Sequence, residues 1–300
     1  GPRPTGSPAL TKAYNWTTDK LKEWGLQNVR LEPYEFGRGW APQYISAHLL
    51  EPHYAPLIAI SVEWGGSTDG KITGQPVYVD IKSVDDFDKY RGQLEGKIVL
   101  YMPPEDTPTY FTPDAHRFDE KDYAEMNQYP IPDERPFGDD YKRGFLDELD
   151  DFFRSEKIGV LVRPSSRLRN YGTVHAWGIR SARFPDQKRP LPEIILAAEH
   201  YNRVYRIINE YNEPCRMEVE VRTTFYEDDL NAYNVIGEIP GTDKKDELVM
   251  LGGHIDSWSP GTGAADNAAG VAVCMEALRI LQELGVKPRR TIRVIFWSAE

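Results

Sequence analysis

Three hundred residues, 40% of them apolar, are enough chain for about two domains with a sizeable buried core. The formal charge of −11, from 47 acidic and 36 basic side chains, argues against nucleic acid as a partner. No apolar run reaches the roughly 18 residues of a membrane span, and two cysteines, Cys215 and Cys274, are too few for a disulfide framework.

Ser7 as a cap, Pro8 in the first turn and the helical spacing of Ala13, Tyr14, Thr17, Leu21 and Trp24 predict a first helix that Gly25 stops. Val29 to Phe36 reads as a strand, with Pro33 suiting an edge or a bulge. From about Leu57 to Val221 the texture changes. Short β-like runs (76–81, 97–101, 158–162 and 193–197) alternate with Gly- and Pro-rich turns and two helical stretches, 144–157 and 198–211. That pattern predicts a separate α+β module. Residues 103–140 form a long proline-rich stretch within it, and the acids from Asp114 to Asp151 read as a solvated insertion.

After Asn231 the pattern becomes α/β. Strands are predicted at 232–238 and 247–251, a helix at 267–284, and a strand buried on both faces at 291–299. Strand, helix, strand implies a parallel unit with a right-handed crossover. The expected organisation is therefore one α/β domain from residues 1–56 and 223–300, interrupted by a module at 57–222.

The chemistry concentrates in Gly252-Gly-His254-Ile-Asp256-Ser-Trp258, Gly261-Thr-Gly-Ala-Ala-Asp266-Asn-Ala-Ala-Gly270 and Phe296-Trp-Ser-Ala-Glu300. His254 follows one predicted strand, Glu300 ends the next, and Asp266 lies in the small-residue loop between them. Carboxyl ends of strands in an open α/β sheet are where sites form. Imidazole and carboxylate suit zinc, and a carboxylate can bridge two ions. Asp256 is placed to orient His254, and Glu300 to take a proton from water. Each residue alone has an ordinary reading: a satisfied polar histidine, turn glycines, an Asp-Asn helix cap. Spacing alone leaves the two readings open; the coincidence of all three residues at one sheet edge favours a metal site.

The stretch from Glu247 to Glu300 resembles the co-catalytic zinc metallopeptidases related to aminopeptidase Y, plasma glutamate carboxypeptidase and glutamate carboxypeptidase II. Their motifs Gly-His-X-Asp-Ser, Gly-Ala-X-Asp-Asn/Asp-X-X-Gly and Trp-Ser/Thr-Ala-Glu-Glu occur here in that order, up to the first Glu of the last one. Gly1-Pro-Arg-Pro-Thr-Gly-Ser7 is similar to the family's segment before the first helix. Leu94-Glu-Gly-Lys-Ile-Val-Leu-Tyr101 and Leu191-Pro-Glu-Ile-Ile195 resemble the protease-associated (PA) domain inserted in many such enzymes.

The resemblance implies a mostly parallel zinc-exopeptidase sheet with helices on both faces, interrupted by a PA-like α+β domain. It implies two zinc ions, with His254 a terminal ligand, Asp266 the bridging carboxylate, Asp256 the residue that orients His254, and Glu300 the general base. It also implies a cis Asp266–Asn267 peptide, further ligands beyond Glu300, and a secreted or periplasmic enzyme acting on peptides. A homodimer is compatible with it. Two other readings are a non-enzymatic scaffold resembling the transferrin receptor and a single-zinc acyltransferase resembling glutaminyl cyclase. The His254, Asp266 and Glu300 set argues against the first, and the inserted module against the second. His48, His53, His116, His175 and His200 receive no role, and Trp258 is assigned equally to a pocket wall or to packing.

Overall fold

The structure is a computed structural model that describes residues 1–109, 111, 113, 115–128, 140–166, 172–176 and 183–300. Helix α1 (Pro8–Glu23) starts as its sequence dictates: the Ser7 hydroxyl accepts the Leu10 amide at 3.2 Å, and Pro8 sits where no amide donor is needed. Strands β1 (Gln27–Glu35) and β2 (Gly39–Glu51) follow. The middle of the chain supplies β3 (Ala55–Pro56), β4 (Ala59–Ser61), β5 (Ile72–Gly74), β6 (Val77–Tyr78) and β7 (Ile98–Leu100). It continues with α2 (Glu120–Met126), α3 (Asp140–Ser155), β8 (Val160–Pro164), β9 (Glu193–Leu196), α4 (Ala198–Asn209) and β10 (Arg216–Tyr226). Strands β11 (Asn231–Ile239) and β12 (Lys244–His254), helix α5 (Ala269–Glu283) and strand β13 (Arg290–Trp297) complete the order.

One sheet has the order β1-β11-β13-β12. Pro33, which has no amide to give, lies on the edge strand opposite Tyr233. The α/β class expected from the sequence stands, with one correction to its finer picture. Among the described strands of this sheet only β12 and β13 run parallel; β1–β11 and β11–β13 are antiparallel. Helix α5 is the crossover that a parallel return requires.

The packing of the helices follows from the register. Register places Val235 opposite Phe296, and Val294 opposite both Gly237 and Leu251. That face meets Leu10, Tyr14 and Leu21 of α1 and Val271, Met275 and Leu278 of α5 in one core. Both helices therefore cover the same face. The opposite face carries the Arg293–Glu238 ion pair and the exposed Met250 and Trp297. Among the described residues α1 and α5 cover one side of β13.

The middle segment contains a five-stranded sheet, β4-β9-β8-β7-β6, parallel from β9 through β6. Alternation splits its side chains between two cores. Ile98, Leu100, Val160, Val162, Ile194 and Leu196 face Tyr201, Val204 and Ile207 of α4 together with Leu49, Met217, Val219 and Val221 of β2 and β10. Val99 and Leu161 face Leu149, Phe152 and Phe153 of α3. Burial on both faces explains why these strands read as unbroken apolar runs.

Strands β2 and β10 form a long antiparallel ribbon, from Glu51 opposite Arg216 to Gly39 opposite Tyr226, flanked by β3 and β5. Within the proline-rich stretch α2 is helical, capped by Asp119. Residues 129–139, with Pro130, Pro132 and Pro136, lie outside the described residues.

Candidate active site

Strand β12 ends on His254, and parallel pairing sets that residue opposite Trp297. Asp256 and Glu300 leave the sheet at the same edge. Asp266 and Asn267 have non-helical backbone angles inside a single wide turn at 264–268, ahead of α5, and the peptide joining them is cis. Gly263, which opens that turn, has φ +64, and a Cβ there would stand 2.4 Å from that of Ser257.

His254 is buried between two carboxylates. Its Nε2 lies 2.9 Å from Asp266 Oδ1, and its Nδ1 lies 3.3 Å from Asp256 Oδ1. Nδ1 and Oδ1 of that second pair are both shielded from solvent, and neither has an aligned hydrogen bond.

Asp256 Oδ2, by contrast, is fully engaged. It accepts the Thr5 hydroxyl at 2.9 Å and the Ala299 amide at 3.1 Å, and that amide also reaches Thr5 Oγ1 at 3.2 Å. The N-terminal strap that brings Thr5 here is held by Arg3, whose guanidinium donates to the carbonyls of Ile255, Thr262 and Gly263. Ser298, just before the Ala299–Glu300 end, is bonded by the hydroxyls of Tyr14 (2.8 Å) and Tyr34 (2.8 Å). Burial pushes both phenols above their ordinary range, so they act as neutral donors.

A cavity of about 310 Å³ opens beside this node. Asp256, Trp258 and Glu300 line it from the site sheet, and Glu63, Trp64 and Arg183 from the middle segment. Glu63 is buried and its carboxylate accepts the Ser259 amide. Desolvation, more than the nearby Asp256 charge, raises its pKa to about 7. Another cavity, of about 380 Å³ between α1 and α5, touches none of His254, Asp256, Asp266 and Glu300.

The structure thus brings His254, Asp256 and Asp266 into contact and places Glu300 in one cavity with Asp256. Among the described residues no group of three or more His, Cys, Asp and Glu side chains is arranged to hold a metal ion. His254 with Asp266 does fit as part of one. Two donors on a tetrahedral zinc at about 2.05 Å stand about 3.3 Å apart, close to the spacing found, and a carboxylate behind the distal ring nitrogen is the usual support.

Sequence reasoning missed Thr5, Arg3 and Glu63. The signal for Glu63 was an acid at the end of an apolar run, ahead of Trp64-Gly-Gly. Histidines 48, 116 and 200 are occupied elsewhere: stacked on Tyr54, paired with Asp122, and accepting the Ile58 amide. Cys215 and Cys274 are free thiols.

The α/β sheet thus gathers an imidazole and carboxylates where its parallel strands end. Peptidase family M28 matches residues 234–300. Carboxypeptidase Q of Bos taurus is 27% identical over 304 residues, covering 100% of this chain and 56% of that protein, and its Homo sapiens counterpart is 26% identical with the same coverage. A peptidase M28 precursor from Shewanella amazonensis SB2B shares the fold over 100% of this chain and 61% of its own, with TM-score 0.62 and 24% identity. BSAP, a zinc aminopeptidase from Bacillus subtilis, does so at TM-score 0.55 and 15% identity, over 100% of this chain and 58% of its own. The family model thus matches the C-terminal part of the chain, and the chain spans a little over half the length of the relatives it matches. Among the described residues no helix is long and apolar enough to cross a membrane.

Proposed function

We propose that the full-length protein is a secreted zinc-dependent exopeptidase that hydrolyses the peptide bond next to a chain end. The observation that carries this reading is the His254 ring held between Asp266 at 2.9 Å and Asp256 at 3.3 Å, beside a cavity that contains Glu300. His254 Nε2 and Asp266 would hold zinc, with Asp266 shared by two ions and the remaining ligands supplied by residues beyond Glu300. Bound zinc supplies a water that is nucleophilic at neutral pH and polarises the scissile carbonyl.

The chain's own residues do the rest. Asp256 faces the Nδ1 edge of His254, favouring the tautomer with Nε2 unprotonated. Glu300 takes the proton from the attacking water and passes it to the leaving amine. The PA-like motifs and the lining of the cavity by Glu63, Trp64 and Arg183 support a second element: the middle segment is a PA-like insertion that walls the substrate cavity. Because Ala47 and Leu49 of β2 share its core, we place its junctions in the β2–β10 ribbon, before residue 56 and after residue 222.

The test compares two substitutions in the full-length protein. Glu300→Gln should keep zinc and lose turnover, because an amide cannot accept the proton. Asp266→Asn should lose zinc, because a neutral amide cannot hold two dications together. Zinc per chain by elemental analysis and hydrolysis of a dipeptide panel read both. Retained hydrolysis in both variants would sink the peptidase reading, and the opposite pattern of zinc loss would reverse the two roles.

A further inference from the structure

The cavity beside Glu300 contains a buried carboxyl group, Glu63, with no counter-charge among the described residues that influence it. Glu63 is 5% exposed, and the influences on its ionisation are burial, the Ser259 amide and the negative charge of Asp256, with no cation among them. Arg183 lines the same cavity, but its guanidinium lies over the Phe36 ring, 4.8 Å from the centroid. Accepting one backbone amide needs only a neutral oxygen. A glutamine would do that without the cost of burying an ionisable group.

The surroundings say what the charge is for. Glu63, Asp256 and Glu300 share the cavity with the aromatic residues Trp64 and Trp258, and with Phe36 beneath Arg183. Carboxylates among aromatic faces make a site for an ammonium group. The dimensions agree. When the first bond of a peptide is cut, the amino nitrogen lies about 2.5 Å from the scissile carbon, given the N–Cα and Cα–C lengths and the angle between them. An anchor for that nitrogen must therefore share a small space with the general base. A sphere of 310 Å³ is about 8 Å across.

We infer that Glu63 binds the free α-ammonium group of a peptide substrate, so that the middle segment selects an amino terminus for the site on the neighbouring sheet. This rests on the exopeptidase reading above. Binding a cation drives Glu63 to its ionised form, and the Ser259 amide then stabilises the same charge. Arg183 would take the opposite part, meeting a free carboxylate, if the protein selected the other chain end.

The experiment uses the full-length, zinc-loaded protein and one dipeptide in three forms: both ends free, N-acetylated, and C-amidated. Glu63→Gln keeps an oxygen for Ser259 and removes only the charge. The expected result is a fall of at least about tenfold in the preference for the free over the acetylated form, carried by KM. The preference between free and amidated forms and the zinc content should stay unchanged. An equal loss on all three substrates, or no loss, would overturn the inference. A measurement on the unmodified protein stands beside it: leucinamide should inhibit and N-acetyl-leucinamide should not, and equal inhibition overturns the inference without any variant. If the unmodified protein hydrolyses none of the dipeptides, the exopeptidase reading itself fails.

Discussion

The two sides of His254 are built differently. On one side Asp256 is 7% exposed, with one oxygen saturated by Thr5 and Ala299 and the other facing the ring. On the other side the Asp266 side chain is 78% exposed, and its described hydrogen bond is to His254. The buried side fixes the direction of the imidazole. The exposed side leaves a carboxylate free to turn toward whatever it binds. Rigid support behind and an uncommitted donor in front is how a ligand set can be oriented without being locked against its ion.

Substitutions on the two sides should separate accordingly. The largest effect belongs to the general base beside them: Glu300→Gln should reduce turnover by about 10²- to 10⁴-fold with the melting temperature and zinc content unchanged. Asp256→Asn comes next, since an amide presents a donor where the ring needs an acceptor. Zinc affinity, measured by competition with a chelator, should fall about 10- to 100-fold. If Asp256→Asn left zinc affinity untouched, the supporting role of the buried side would be wrong.

Glu63→Gln sharpens the contrast through pH. Burial raises the folded-state pKa from 4.5 to about 7, so the folded protein retains a proton that the unfolded chain releases between those values. The stability tied to that proton is fully present below pH 4.5 and is lost as pH rises toward 7. Above pH 7 the variant should therefore be more stable than the unmodified protein, by up to about 3 kcal/mol. Urea unfolding at pH 5 and pH 8 measures the difference. Thr5→Val should have the smallest effect. It removes one of two donors to Asp256 Oδ2 and should cost about 1 kcal/mol, with a several-fold loss of zinc affinity that Thr5→Ser restores.

The exposed side of the site was legible in the sequence and the buried side only in part. His254, Asp266 and Glu300 stand in short motifs next to strand and helix ends, so local pattern locates them. Thr5 meets Asp256 across a sequence separation of 251 residues, and Glu63 meets Ser259 across 196. No periodicity within a segment reports contacts of that kind. The strands show the same division. Met217, Val219 and Val221 alternate with Glu218, Glu220 and Arg222, a plain period of two that marks β10 and was passed over. Strand β2 carries the same period over its second half, where Ile45, Ala47 and Leu49 alternate with Ser46 and His48, while Pro42 and Gln43 break it in the first half. The faces of the site sheet could not be assigned from β13 alone, because an apolar run does not say which neighbours will cover it.

The β2–β10 ribbon bears on how the chain finds its fold. Asn28 and Glu238 meet across 210 residues, and β1 pairs with β11 across a comparable span. Left to diffusion, closing so long a loop is entropically expensive and slow. The ribbon ends with Gly39 opposite Tyr226, and the β1–β11 ladder begins with Glu35 opposite Asn231. A middle segment that folds first, around its own two cores, would zip its two ends together and deliver β1 to β11 as near neighbours. The remaining closure then spans a few residues on each side, a saving of roughly 3–4 kcal/mol in loop entropy. The insertion would in that way act as an internal template for assembling the sheet that it interrupts.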